Sequence, residues 1–84
     1  MISDIEVLEK VKFEKLEKLY LDNNKISDIN ILENINFKGL KELNLSENNI
    51  SDIKVLEKVK FEKLEKLYLS SNKISKSENE LIIS

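Results

Sequence analysis

The sequence predicts an α/β solenoid, in which short parallel strands alternate with short helical segments and successive units stack their apolar sides into one core. Three observations carry that expectation: a self-match at a spacing of 24 residues, a Leu-x-Leu alternation once in every unit, and apolar residues near helical spacing in the stretch between. Ile2, Ile26, Ile50 and Ile74 fall in register. Residues 2–25 agree with 50–73 at 21 of 24 positions, while 26–49 agrees with 50–73 at only 12, and the shared set is largely apolar with Ser27-Asp28 and Asn48 as polar marks. An apolar skeleton that outlasts divergence inside one chain marks the core. The expected organisation is a single domain over 1–84, with units 2–25, 26–49 and 50–73 and a partial C-terminal cap at 74–84.

Each element follows from local pattern. In Leu19-Tyr20-Leu21, Leu43-Asn44-Leu45 and Leu67-Tyr68-Leu69 the leucines point to one side of an extended chain and the middle residue to the other. Strands this short are unstable alone and gain stability only by pairing edges with neighbouring units. The return stretch Ser27 to Ile35 carries apolar residues at Ile29, Leu32 and Ile35, which predicts a helix of two turns. Asp4, Asp28 and Asp52 precede these stretches, where a short acceptor holds the free amides of a helix start and its charge suits the dipole. Ser3 with Glu6 offers a capping-box alternative in the first unit. A calcium-binding row of these aspartates is the weaker reading, since each unit supplies one Asp with no Gly-Asx loop beside it. Phe13, Phe37 and Phe61 recur in register and read as a core spine.

The three units each contain Leu-x-x-Leu-x-Leu-x-x-Asn-x-Ile: Leu16 to Ile26, Leu40 to Ile50 and Leu64 to Ile74. This pattern resembles the leucine-rich repeat family over residues 2 to 74. The resemblance implies a right-handed coil stacked into a curved solenoid, strands on its concave side and helical segments on its convex side, with protein recognition on the concave sheet. It also implies that Asn24, Asn48 and Asn72 point inward at the turn off each strand. The physical sense of an Asn there is that a side-chain amide can donate and accept at once, serving backbone groups that the turn leaves unpaired.

With the leucines assigned to the core, parity puts nine side chains on the solvent face of the sheet: Lys18, Tyr20 and Asp22, then Glu42, Asn44 and Ser46, then Lys66, Tyr68 and Ser70. Three strands about 4.8 Å apart give a face only about 10 Å across from first axis to last. A stable interface usually takes about 800 Å² per partner, so the patch is narrow. Tyr20 and Tyr68 stand out on it, because tyrosine gives contact area at low entropic cost. The expected function is noncatalytic protein binding or scaffolding through this face. The alternative is a self-assembling structural module.

Composition narrows the remaining classes. The chain has no His, Cys, Trp, Pro, Ala, Arg, Thr or Gln, which removes the imidazole base, the thiol nucleophile, disulfides and the usual zinc sites. No carboxylate pair is marked out by an apolar pocket, and nothing positions a Ser-Lys dyad. Asp22-Asn23-Asn24 has metal-friendly residue types, but Asn24 is committed to the turn and the triplet occurs once. No enzyme activity, metal or cofactor is expected. The formal net charge of -2 comes from finely alternating signs, as in Glu57-Lys58-Val59-Lys60, so neither nucleic acid nor an anionic membrane is an expected partner. Apolar runs reach three residues, as in Leu81-Ile82-Ile83, too short to span a bilayer, and the default expectation is a soluble cytoplasmic protein.

The ends point the other way. A stacked array needs polar terminal caps, because its first and last coils otherwise expose leucines and strand edges. Met1 leads straight into a unit, and after Asn72 the pattern lapses, with Ser77 and Glu80 offering a last cap and Leu81, Ile82 and Ile83 a partial cover. Three expectations follow: a fragment of a longer array, a minimal or engineered repeat protein, or a homo-oligomer joined through its terminal coils.

Overall fold

The computed structural model describes residues 4–10 and 15–74. Strands β1 (Lys18–Tyr20), β2 (Glu42–Asn44) and β3 (Lys66–Tyr68) form one parallel sheet in the order β1-β2-β3. Lys18, Glu42 and Lys66 pair across it, as do Leu19, Leu43 and Leu67, and Tyr20, Asn44 and Tyr68. Every pairing joins residues 24 apart, so the sequence period is the register of the sheet. Each assigned strand begins one residue before the Leu-x-Leu triplet, and backbone bonds continue the pairing past its end. Leu21 N–H donates to the Asn44 carbonyl at 2.8 Å and Asn23 N–H to that of Ser46 at 2.9 Å. Between β2 and β3, Leu45 and Glu47 donate in the same way to Tyr68 and Ser70.

The returns are 3₁₀ segments, η1 (Glu6–Lys10), η2 (Asn30–Asn34) and η3 (Lys54–Glu57), where the apolar spacing predicts a two-turn helix. The tighter coil suits the apolar spacing. Ile29, Leu32 and Ile35 recur at a strict interval of three, and three residues per turn put all of them on one face, where all are buried. Leu32 N–H donates to the Ile29 carbonyl at 3.1 Å and Ile35 N–H to that of Leu32 at 3.2 Å, a chain of three-residue steps. Ile53, Leu56 and Val59 repeat this spacing and are likewise buried. The aspartates stand just ahead of these segments. The Oδ1 atoms of Asp4, Asp28 and Asp52 accept from the N–H groups of Glu6, Asn30 and Lys54 at 2.9, 2.9 and 3.0 Å, each closing a two-residue turn. Ile29 and Ile53 occupy the N-cap positions themselves, so each Asp acts from one residue further out. Ser3 lies outside the described residues.

The core fills the space between the sheet and the 3₁₀ layer. Its fully buried side chains include Phe37, Ile26, Leu40, Leu43, Leu45 and Ile50, most of them from the middle of the chain. Burial is graded along the sheet: Leu43 is sealed between its neighbours, while Leu19 on β1 and Leu67 on β3 are half-buried. Phe37 stacks on Phe61 with ring centroids 5.5 Å apart and an interplanar angle of 25°, a contact that ties adjoining units beneath the sheet. Phe13 and the tail at 75–84, with its proposed cap, lie outside the described residues.

Where the chain leaves each strand it passes through a left-handed residue, Asn23, Glu47 or Ser71, with φ of 57, 56 and 57°. No glycine occupies these positions, although a Cβ makes that conformation costly. The next residue in each case is Asn24, Asn48 or Asn72. The Nδ2 of Asn48 donates to the carbonyls of Leu21, Leu45 and Ser46 at 3.0 to 3.1 Å, and its Oδ1 accepts from Ile26 N–H at 3.0 Å. Asn72 repeats the set between the next pair of units, donating to Leu45, Leu69 and Ser70 and accepting from Ile50 N–H. Asn24 donates to Leu21 and Asp22. Asn48 is the buried member of the series, at 6% exposure. Truncating it leaves the buried Ile26 N–H without its acceptor and takes one donor each from the Leu21 and Leu45 carbonyls, so Asn48→Ala should cost about 1 to 3 kcal/mol. Asn49→Ala, at an exposed residue whose side chain makes no hydrogen bond among the described residues, should leave the thermal midpoint nearly unchanged. Thermal unfolding followed by circular dichroism compares the two, and equal midpoints would remove the structural role of Asn48.

Candidate functional site

The solvent face of the sheet brings together six of its nine expected side chains in contacts. At its centre is Glu42 on β2, whose side chain is only 14% exposed although it belongs to the outer row. Its Oε2 lies 3.5 Å from the Lys18 ammonium and accepts the Tyr20 hydroxyl at 3.0 Å, while its Oε1 lies 3.5 Å from the Lys66 ammonium. One carboxylate on the middle strand is therefore shared by both edge strands. The parallel register produces this, because it sets Lys18, Glu42 and Lys66 in one row and Tyr20 one row further along. Ser70 Oγ donates to Ser46 Oγ at 3.1 Å in the third row.

Electrostatics follow the geometry. The hydrogen bond from Tyr20 holds the Glu42 carboxyl below its ordinary range, and the two lysines act in the same direction against partial burial. The same bond raises the Tyr20 hydroxyl, since losing its proton would set two anions side by side. Both lysines keep about three fifths of their side chains in water, so these pairs are screened.

The other expected residues take separate places. Asn44 turns its Oδ1 back to accept Ser46 N–H at 3.0 Å, so it lines the floor between the tyrosines with its oxygen already engaged. Asp22 is exposed at the rim. Among the described residues, Tyr20 and Tyr68 are the large hydrophobic side chains most open to solvent, at 56% and 41%. Sequence parity selects Glu42 as one of nine equivalent positions and gives no sign that it organises the rest. The signal present in the sequence is the alternation Lys-Glu-Lys read down the 24-residue columns. A second concavity, lined by Asp4, Glu6, Asp28, Asn30 and Glu33, lies along η1 and η2 and follows from the aspartates recurring in register. Among the described residues no group of three or more acidic side chains is arranged to hold a metal ion, and no helix is long and apolar enough to cross a membrane.

A parallel sheet with a 24-residue register, inward leucines and a turn asparagine in each unit defines a class of repeat protein. The family model described as "Leucine rich repeat" matches residues 14–74, and the chain belongs to that family. Its domains commonly mediate protein–protein interaction and are typically noncatalytic. No curated protein matches the chain.

The shared carboxylate carries a pH signature. A lowered folded pKa contributes stability that is fully present above the unfolded glutamate value of about 4.3 and is lost as pH falls through the lowered value. Glu42→Gln should therefore unfold at a lower temperature than the parent near neutral pH, and the gap should close on acidification below about pH 4. Melting curves across that range decide it, and a gap independent of pH would show that the carboxylate charge contributes nothing.

Proposed function

We propose that the chain forms a short solenoid that works as a noncatalytic protein-binding module in the cytoplasm, taking its partner on the concave face of the sheet. The observation that carries this reading is the pair of exposed tyrosines projecting from one face, with the Lys18–Glu42–Lys66 row beside them. Two aromatic anchors with a polar row at their side have the anatomy of a binding patch, apolar contact first and orientation from charge second. The contact residues of this reading are Lys18, Tyr20, Asp22, Glu42, Asn44, Ser46, Lys66, Tyr68 and Ser70. The absence of imidazole and thiol from the sequence and the typical behaviour of the family support a role without catalysis. Neither nucleic acid nor membrane belongs to the reading. Peptides selected from a displayed random library on the parent chain should bind the double variant Tyr20→Ser, Tyr68→Ser about tenfold more weakly or worse. Equal affinity for the two chains would discard the tyrosines as anchors.

The second reading, assembly of like chains through their end strands, is favoured by the half-burial of Leu19 and Leu67 beside a sealed Leu43. Against it, stacking β3 of one copy on β1 of the next in the same register sets Lys66 against Lys18, and like charges directly opposite repel. Sedimentation should therefore show a monomer at micromolar concentration. Oligomers that grow with concentration would favour assembly over binding.

A further inference from the structure

The tyrosine row of the sheet repeats at a distance that one kind of extended chain matches. Tyr20, Asn44 and Tyr68 pair in register across β1, β2 and β3. Adjacent strands lie about 4.8 Å apart, so the two tyrosine positions stand about 9.6 Å from each other along a line that crosses the strands. The floor between them is low, because Asn44 is short and turns its Oδ1 back along β2 to accept Ser46 N–H at 3.0 Å. Its Nδ2 makes no hydrogen bond among the described residues. The row therefore presents two exposed rings with an unengaged amide donor midway between them. A β-strand returns a side chain to the same face about every 6.7 Å, and an α-helix does so at about 6.0 Å or, two turns on, at about 10.5 Å. Polyproline II returns every third residue, at about 9.3 Å, the closest match to the row. It also leaves its own carbonyls free to accept, whereas a helix commits them internally. Charge sets what accompanies the prolines. On one side of the tyrosine row lie Lys18 and Lys66, two ammonium groups sharing the one carboxylate of Glu42, with about three fifths of each lysine side chain in water. On the other side lie Ser46, Ser70 and the exposed Asp22. An acidic side chain is attracted on the lysine side and a basic one is repelled there.

We infer that the solvent face of the sheet takes a proline-rich acidic segment of a partner protein in the polyproline II form, laid across the strands with prolines three residues apart on Tyr20 and Tyr68. The inference rests on the reading of this face as a protein-binding surface and names the class of partner. Each proline packs on one tyrosine ring, in the manner of proline-rich segments on aromatic-lined grooves. A carbonyl of the segment between the two prolines accepts from Asn44 Nδ2. A glutamate between the prolines reaches the surplus positive charge of Lys18 and Lys66, and Asp22 across the row disfavours the reversed placement. The hydrogen bond from Tyr20 to Glu42 holds one anchor ring in place before the segment arrives. Polyproline II is likewise formed before docking, so little chain entropy is lost on a face that offers only two rings.

The chain has two tyrosines and no tryptophan, so its intrinsic tyrosine emission reports on these two anchors alone. The test titrates the full chain with a synthetic peptide of Pro-Ala-Glu repeats, which is free of aromatic residues. Emission should change and saturate below millimolar peptide. A peptide of the same composition, shuffled so that no two prolines stand three apart, should bind about tenfold more weakly, because only one proline at a time meets a ring. Pro-Ala-Lys repeats should also bind about tenfold more weakly, since repulsion replaces attraction at the lysines. All three titrations use the parent chain, so none depends on a variant folding. The inference is overturned by equal affinity for the ordered and shuffled peptides, by lysine repeats that bind as tightly as glutamate repeats, or by absence of binding at millimolar peptide. If library-selected peptides still need Tyr20 and Tyr68 while the Pro-Ala-Glu repeats fail, the face remains a binding surface and the proline-rich occupant is discarded. If the double tyrosine variant binds every peptide as the parent does, both readings fall.

Discussion

The side-chain amide of Asn48 is the interaction on which the stack depends. Three-residue strands satisfy few of their own backbone groups, and the turn that follows each one swings carbonyls and an amide toward the interior, where water cannot serve them. Asn48 meets groups of two successive units at once, Leu21 in the first and Ile26, Leu45 and Ser46 in its own. Asn72 does the same for the next junction. The amide therefore fixes the distance and register between units as well as satisfying a turn. That explains why its place in the sequence follows a residue held at positive φ: the left-handed step aims the next side chain inward.

The apolar side of the structure is subordinate to that register. Once residues 24 apart are paired, Leu19, Leu43 and Leu67 form one row, and Phe37 comes to stack on Phe61. The 3₁₀ layer follows the same logic from the opposite side. A unit of 24 residues that must return in step with a three-residue strand has little length for a regular α-helix, and the aspartate turns shorten the path further. Three-residue apolar spacing then seats Ile29, Leu32 and Ile35 on the core with one tight coil. Burial is consequently deepest in the middle unit, whose neighbours lie on both sides, and shallower on the two outer strands.

The solvent face inherits its chemistry from the same alignment. A lysine, a glutamate and a lysine separated by 24 residues each become an ion-paired row, and Tyr20 joins it from the adjoining row. Near identity between the first and third units gives the two outer strands the same Lys-Leu-Tyr face, but the central glutamate is single. The tyrosine hydroxyl on β1 consequently has a carboxylate to meet, and its counterpart on β3 meets none among the described residues. This asymmetry between almost identical units arises from position in the stack, since a strand's polar partners lie on one particular side of it.

Period, strand positions and the identity of the inward leucines were legible in the sequence, because they depend on alternation and spacing that one chain displays along its length. The family was legible for the same reason, in three in-phase copies of one motif, and its model covers residues 14–74. The form of the returns was not, since an interval of three is compatible with either helix and only the short path between strands selects the tighter one. Nor was the standing of Glu42, which looks equivalent to Asn44 or Ser46 until parallel pairing sets it between two lysines and beneath a tyrosine hydroxyl. The sequence determined which residues repeat and which side of a strand each occupies. The tertiary structure decided which repeats touch, because hydrogen bonds and ion pairs act across strands, between residues that the chain itself keeps 22 to 27 positions apart.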